Sequence, residues 1–196
     1  MPNHIYNAQD FVKRSGEWPE WFTTITDKFS PFPDGPWLAG GAIRNLITQQ
    51  PHATDFDYFF KDQEQLSHWR AYVEKMGAVK VFETENSISY TYQNVTLQAV
   101  KIQFYASLEE VIDSFDFTIC QFGYDGSQFV IGNYSLFDTF RKRLVLHKLT
   151  YPVPTIRRLI KYTKQGYYAC AGSMQSILEA VVQNPTLMDS DVKYID

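Results

Sequence analysis

Residues 38–60 read Leu-Ala-Gly-Gly-Ala-Ile-Arg-Asn-Leu-Ile-Thr-Gln-Gln-Pro-His-Ala-Thr-Asp-Phe-Asp-Tyr-Phe-Phe, and their reading decides the fold. The pair Gly40-Gly41 opens a helix and lets backbone N–H groups approach a phosphate at that helix's N-terminus. Asp55 and Asp57 follow on a strand. Side chains alternate along a strand, so both carboxylates share one face. Two hard oxygen ligands suit Mg²⁺ or Mn²⁺, and Mg²⁺ completes its shell with water and substrate phosphates. Aspartates are poor strand formers and repel each other, so this pair asks for a cation. The combination points to metal-assisted chemistry on a nucleoside triphosphate, with Arg44 one helical turn on to pair with phosphate oxygens.

Outward from this stretch, the pattern predicts an α+β chain. Apolar residues at helical spacing predict a helix over 20–29, and the proline-rich run 30–36 must end it. Residues 37–39 read as a strand entering the glycine turn, 42–48 as a helix and 54–60 as a strand. Phe56, Tyr58 and Phe60 face away from the aspartates, so the sheet is expected to be anchored on one side and wet on the other. Next come a helix over 63–76 and strands over 78–82, 87–92 and 95–104, the last two joined at Gln93-Asn94. Ser107 to Glu110 is a capping box for a short helix. A strand over 129–131 follows, then helices over 135–146, 155–171 and 174–182, and an acidic tail expected to fray. The expected organisation is a helical lead-in (1–36), a main unit (37–134) and a helical segment with the tail (135–196).

Gly40-Gly41-x-x-Arg44 followed by Asp55-x-Asp57 resembles the head domain of the DNA polymerase β-like nucleotidyltransferases, closest to CCA-adding enzymes and bacterial poly(A) polymerases. Asp116-Phe-Thr-Ile-Cys is similar to a second segment of that group, and 152–166, with Arg157, Arg158 and Lys161, to its arginine-rich helix. The resemblance runs over about 37–168. It implies a small twisted mixed sheet with helices packed on it, followed by a short helical neck. It also implies Mg²⁺-dependent transfer of a nucleoside monophosphate from an NTP, with ATP the expected donor, onto a hydroxyl. Asp55 and Asp57 would be the catalytic metal ligands. Gly40, Gly41, Arg44, Asp116, Arg157, Arg158 and Lys161 would contact the nucleotide. The acceptor is an RNA 3′ end or a protein or small-molecule hydroxyl. A catalytically weak relative that binds nucleotide or acts as a regulator is the other reading.

The chain departs from the group's pattern at named positions. Asn45 replaces an aspartate, Ser114-Phe115 replaces an arginine pair, and 151–164 lacks the acidic half of a base-reading pair. The strand expected to carry a third carboxylate has Gln98 instead.

Bulk properties agree with a globular chain: 196 residues, 44% hydrophobic and 20% charged. No apolar run approaches a membrane span and the N-terminus shows no signal-peptide pattern, so a cytoplasmic protein without a membrane partner is expected. Cys120 and Cys170, the only cysteines, are expected to be reduced. The net charge of −4 argues against a general grip on nucleic acid. The basic residues Arg141, Lys142, Arg143, Arg157, Arg158 and Lys161 would make one patch beside the cleft if RNA is the acceptor. Tyr90, Tyr92, Tyr124 and Tyr134 are candidates to stack a base, and His52 reads as a surface-loop residue.

Overall fold

The computed structural model describes residues 2–15 and 17–183. The acidic tail lies outside them. The elements begin with β1 (His4–Asn7), α1 (Ala8–Ser15), α2 (Glu20–Thr26), β2 (Trp37–Ala39), α3 (Gly41–Ile47), β3 (Asp55–Phe59) and α4 (Gln63–Lys75). They continue with β4 (Val79–Glu83), β5 (Ser87–Tyr92), β6 (Val95–Val100), α5 (Leu108–Ser114) and a 3-10 turn at Thr118–Cys120. The last are β7 (Phe122–Tyr124), β8 (Gln128–Ile131), α6 (Ser135–Phe140), β9 (Arg143–Leu144), α7 (Pro152–Lys164), β10 (Tyr168–Ala169) and α8 (Ala171–Gln183).

Eight strands form one mixed sheet in the order β1-β8-β7-β2-β3-β6-β5-β4. Within it, β3 and β6 run parallel and the other neighbours antiparallel. The β5–β6 hairpin turns through Gln93 and Asn94, both at positive φ, which matches strand twist. On one face Phe56 and Tyr58 of β3 pack with Phe22, Ile25 and Phe29, and the Tyr58 hydroxyl donates to the Phe29 carbonyl at 2.7 Å. The opposite face is covered only in part. Phe59, on the same side of β3 as the aspartates, is buried with Trp37, Leu108, Val111 and Ile112 under α5. The wet side expected from the sequence is therefore a wedge of open sheet beside α5. That wedge is where the cleft forms.

Several elements differ from the sequence expectation. The lead-in supplies an edge strand as well as helices, because β1 pairs with β8. Its Phe22, Ile25 and Phe29 share one core cluster with β3 and α4. The helix expected over 135–146 stops at Phe140; Lys142 takes φ 54°, and Leu144 is extended and buried against Phe117 and Ile119. The segment pairs as β9 with β10, so the expected helical neck includes a small parallel ladder. The next helix begins at Pro152, earlier than expected, because proline presets helical φ and lacks only an N–H that the first turn does not use. It ends before Gly166, at φ 86°.

The turn at Gly126 gives a stability prediction. Its φ is +91°, and an added Cβ would fall 2.3 Å from the Pro31 carbonyl oxygen, which is backbone and cannot swing aside. Gly126→Ala should lower unfolding free energy by about 1–3 kcal/mol from backbone strain alone. Urea denaturation with an unchanged midpoint would contradict this.

Candidate nucleotide site

The site starts at the glycine turn. Gly40 has φ 93° and ψ −137°, a conformation that side-chain-bearing residues avoid. Its N–H donates to the Phe122 carbonyl at 2.7 Å, which fastens the turn to β7. A Cβ placed there would lie 3.7 Å from Oδ2 of Asp57, so the turn passes directly over that carboxylate. In the sheet Asp57 is opposite Ala39 on β2 and Gln98 on β6. Asp55, two residues earlier on the same face, is exposed at the open end of the strand. Among the described residues, no group of three or more His, Cys, Asp or Glu side chains converges in a metal-binding arrangement. Gln98 occupies the neighbouring strand position where a third acid was expected, and its amide donates to Ser89 Oγ at 3.4 Å.

Burial pushes the Asp57 carboxyl up to about 7 from 3.8, the nearby Asp55 charge pushes the same way, and Lys161 pulls it back. The pair thus carries a repulsion that a cation would relieve, which fits a divalent ion held by these two residues. The linkage has a definite sign. The folded protein retains a proton that the unfolded chain releases. The stability this contributes is full below about pH 4 and is lost as pH rises through about 7. Without divalent metal, Asp57→Asn should therefore melt higher than wild type at about pH 8 and vary less between pH 4 and 8. A lower melting temperature for the variant at pH 8 would contradict the burial of this carboxylate.

The facing wall comes from α7 and the segment before it. Lys148, Tyr151, Thr155, Arg158, Lys161 and Tyr162 line the cleft opposite Gly40, Gly41 and Asp57. Asp116 holds this wall in place. Its Oδ2 accepts from Arg158 Nε at 2.6 Å and from Thr155 Oγ1 at 3.0 Å. Its backbone carbonyl accepts from the His147 and Lys148 N–H groups. Asp116 is buried, so its carboxylate acts first as the clamp between the sheet unit and α7. The other end of the cleft is apolar and aromatic, lined by Phe59, Val100, Ile102, Tyr105 and Phe115.

Arg44 lies behind the turn and does not line the cleft. Its buried guanidinium reaches the Asn45 Oδ1 at 3.3–3.4 Å and the Ile119 carbonyl at 3.5 Å. It also packs 5.7 and 5.8 Å from the Tyr162 and Tyr167 ring centroids. None of these contacts is a carboxylate, and one guanidinium nitrogen is 3.8 Å from where a Gly41 Cβ would be. Cys120 touches the Tyr162 hydroxyl at 3.1 Å; burial, then Asp116, pushes its thiol up to about 11, which makes it a poor nucleophile.

The fold thus brings Gly40, Gly41, Asp57, Asp116, Arg158 and Lys161 together. Arg157 and Arg141 are exposed, Lys142 and Arg143 are half-buried, and all four are outside the lining. The expected single basic patch therefore divides: Arg158 and Lys161 face the cleft, and the 141–143 run wraps elsewhere. Tyr90 and Tyr92 are core residues and His52 is exposed. Sequence reasoning missed Tyr105 and Tyr151, whose place depends on how the loops around α5 and α7 fold back; no local motif marks them.

The family model for Gabija anti-defense 2 family protein matches residues 17–142. The chain belongs to that family. The match spans the glycine turn, both aspartates and Asp116. Gabija anti-defense 2 of Bacillus phage SPbetaL7 is 24% identical over 136 residues, which cover 66% of this chain and 33% of that protein. The chain therefore spans about a third of the length of this curated relative. Among solved structures, a CCA-adding enzyme with CTP superposes with a TM-score of 0.66 at 13% identity, over 95% of this chain and 48% of that one. The Thermotoga maritima CCA-adding enzyme complexed with tRNA gives 0.64 at 13% identity, over 95% and 47%. At such identities the likeness establishes the fold, and this family member has the nucleotidyltransferase fold expected from its sequence.

Proposed function

We propose that the protein is a metal-dependent nucleotidyltransferase that moves a nucleoside monophosphate from an NTP, with ATP the expected donor, onto a hydroxyl, and that it acts against Gabija defence. One observation carries the reading: Gly40, at positive φ, passes over Asp57 on a strand that also presents Asp55, with Lys161 and Arg158 on the facing wall. Asp55 and Asp57 would hold Mg²⁺ or Mn²⁺. When bound, the ion would polarise the phosphates and ease deprotonation of the attacking hydroxyl. The glycine turn would admit the triphosphate close to its backbone. Lys161 and Arg158 would balance phosphate charge, Arg44 would add positive potential from behind the turn, and Phe115 with Tyr105 would border the base or sugar. Arg157 would contact the nucleotide only from the rim.

The solved neighbours with CTP and tRNA support a nucleotide in this cleft. The family match favours an acceptor belonging to the defence system over an RNA 3′ end, and the net charge of −4 weighs the same way. Gln98, at the third-acid position, supports a second reading in which the cleft binds nucleotide without efficient transfer. The test is incubation with each α-labelled NTP, Mg²⁺ or Mn²⁺, and RNA, Gabija proteins or neither as acceptor. Label transfer with pyrophosphate release supports the transferase. Nucleotide binding without pyrophosphate supports the second reading, and no binding of any NTP overturns both.

A further inference from the structure

We propose that the outward face of α6 docks another protein, one offering an apolar pocket with an acidic rim; the choice of partner rests on the anti-defence reading above. This helix is inverted. Ser135, Asp138 and Thr139 are buried, whereas Phe137 and Phe140 are 51% and 66% exposed and Tyr134 before them is 54% exposed. The inner side explains the inversion. A Cβ on Gly132 would fall 2.5 Å from Ser135 Oγ, so the helix lies too close to that turn for a ring. Asp138 accepts from Thr118 Oγ1 at 2.8 Å and pairs with Arg143 at 3.6 Å. Small side chains and one hydrogen-bonded carboxylate therefore fill the inside, where the Ser135 and Thr139 hydroxyls are buried without a hydrogen-bond partner. Nothing in that packing requires phenylalanines outside, where the hydrophobic effect opposes them.

The surroundings are basic. The Arg141 and Arg143 guanidinium groups lie 5.8 and 5.6 Å from the Phe137 ring centroid, and Lys142 is between them in sequence. Aromatic anchors joined to arginine are the composition of interface hot spots. Arg143 already pairs with Asp138 and Lys142 lies 4.5 Å from the Tyr167 ring centroid, so Arg141 beside Phe137 is the cation that an acidic rim would meet, in a chain of net charge −4. A second copy fits poorly, because a two-fold contact would set these arginines against themselves. A nucleic acid strand also fits less well. Phe137 already carries two guanidinium groups, which compete with a stacked base, and three cations are few for a phosphate backbone. A protein pocket that takes Phe140 and the Phe137 edge, with carboxylates around it, satisfies both features.

The test uses the full chain, the pair Phe137→Ser with Phe140→Ser, and the pair Arg141→Glu with Lys142→Gln. The probe is the purified Gabija complex, with binding read by biolayer interferometry at low and high salt. A labelled single-stranded oligonucleotide and sedimentation equilibrium serve as parallel arms. Wild type should bind the complex, more weakly at high salt, and each pair should lose at least tenfold in affinity. All three proteins should keep the same Mg²⁺–NTP thermal shift. Equal binding by wild type and the phenylalanine pair overturns the surface, as does no binding by wild type. Oligonucleotide binding or self-association lost in the phenylalanine pair also overturns it, in favour of those occupants. Phage plating on Gabija-bearing cells separates the readings. Rescue by wild type and by both pairs leaves the anti-Gabija reading standing and removes the surface; no rescue by wild type removes both.

Discussion

Asp57→Ala should abolish metal-dependent nucleotidyl transfer, a fall of at least roughly 10³-fold, or about 4 kcal/mol of transition-state stabilisation. The reason is positional. Asp57 is the carboxylate beneath the Gly40 turn and it lines the cleft, while Asp55 stands exposed at the strand's open end. Loss of Asp57 removes the inner of the two proposed cation ligands and leaves Gln98 beside the gap. The fold should survive, because removing a carboxylate that burial disfavours costs the structure little. Calorimetry of NTP with Mg²⁺ is the complementary measurement. Equal nucleotide binding by wild type and variant would show that the metal assignment is wrong, even if activity fell.

The second large effect concerns the clamp. Asp116→Ala should destabilise the protein by about 3 kcal/mol, the lower end of the range for removing one partner of a buried ion pair, because Arg158 keeps some contact with solvent. Asp116 gathers Arg158 Nε and Thr155 Oγ1 onto one oxygen, and its carbonyl holds the His147–Lys148 backbone. Arg158→Ala alone should cost less, since Thr155 still satisfies the carboxylate. A double-mutant cycle should return a coupling of about 1–3 kcal/mol. Additive effects would mean that Asp116 contributes little to seating α7. Nucleotide affinity should fall in the Asp116 variant as well, because Arg158, Lys161 and Tyr162 reach the cleft from that helix.

The central architecture was legible because it rests on local rules. The positive-φ turn at Gly40, period-2 alternation at Asp55 and Asp57, and Phe56 and Tyr58 on the opposite face all follow from neighbouring residues. So did the Gln93-Asn94 turn and the Ser107 cap, where Ser107 Oγ accepts from the Glu110 N–H. The alternation also exposed Gln98 as the missing acid, since β6 keeps a simple register beside β3.

Other features had no local signal. Nothing within 135–146 announces that the chain leaves the helix at Lys142; burial of Leu144 against Phe117 and Ile119, distant in sequence, decides it. Arg44 was read as a phosphate contact, and only the fold shows that Tyr162 and Tyr167, from α7 and its following turn, pack against its guanidinium behind the glycines. Asp116 read as a nucleotide or a structural residue, and only the fold shows that α7 packs onto it and engages its carboxylate. By itself the sequence determined which residues carry opposed charges, where the backbone must turn and which strand face is wet. Only the tertiary structure decided which cations reach the cleft and which aromatic residues stay outside, because both depend on elements far apart in the chain competing for the same space.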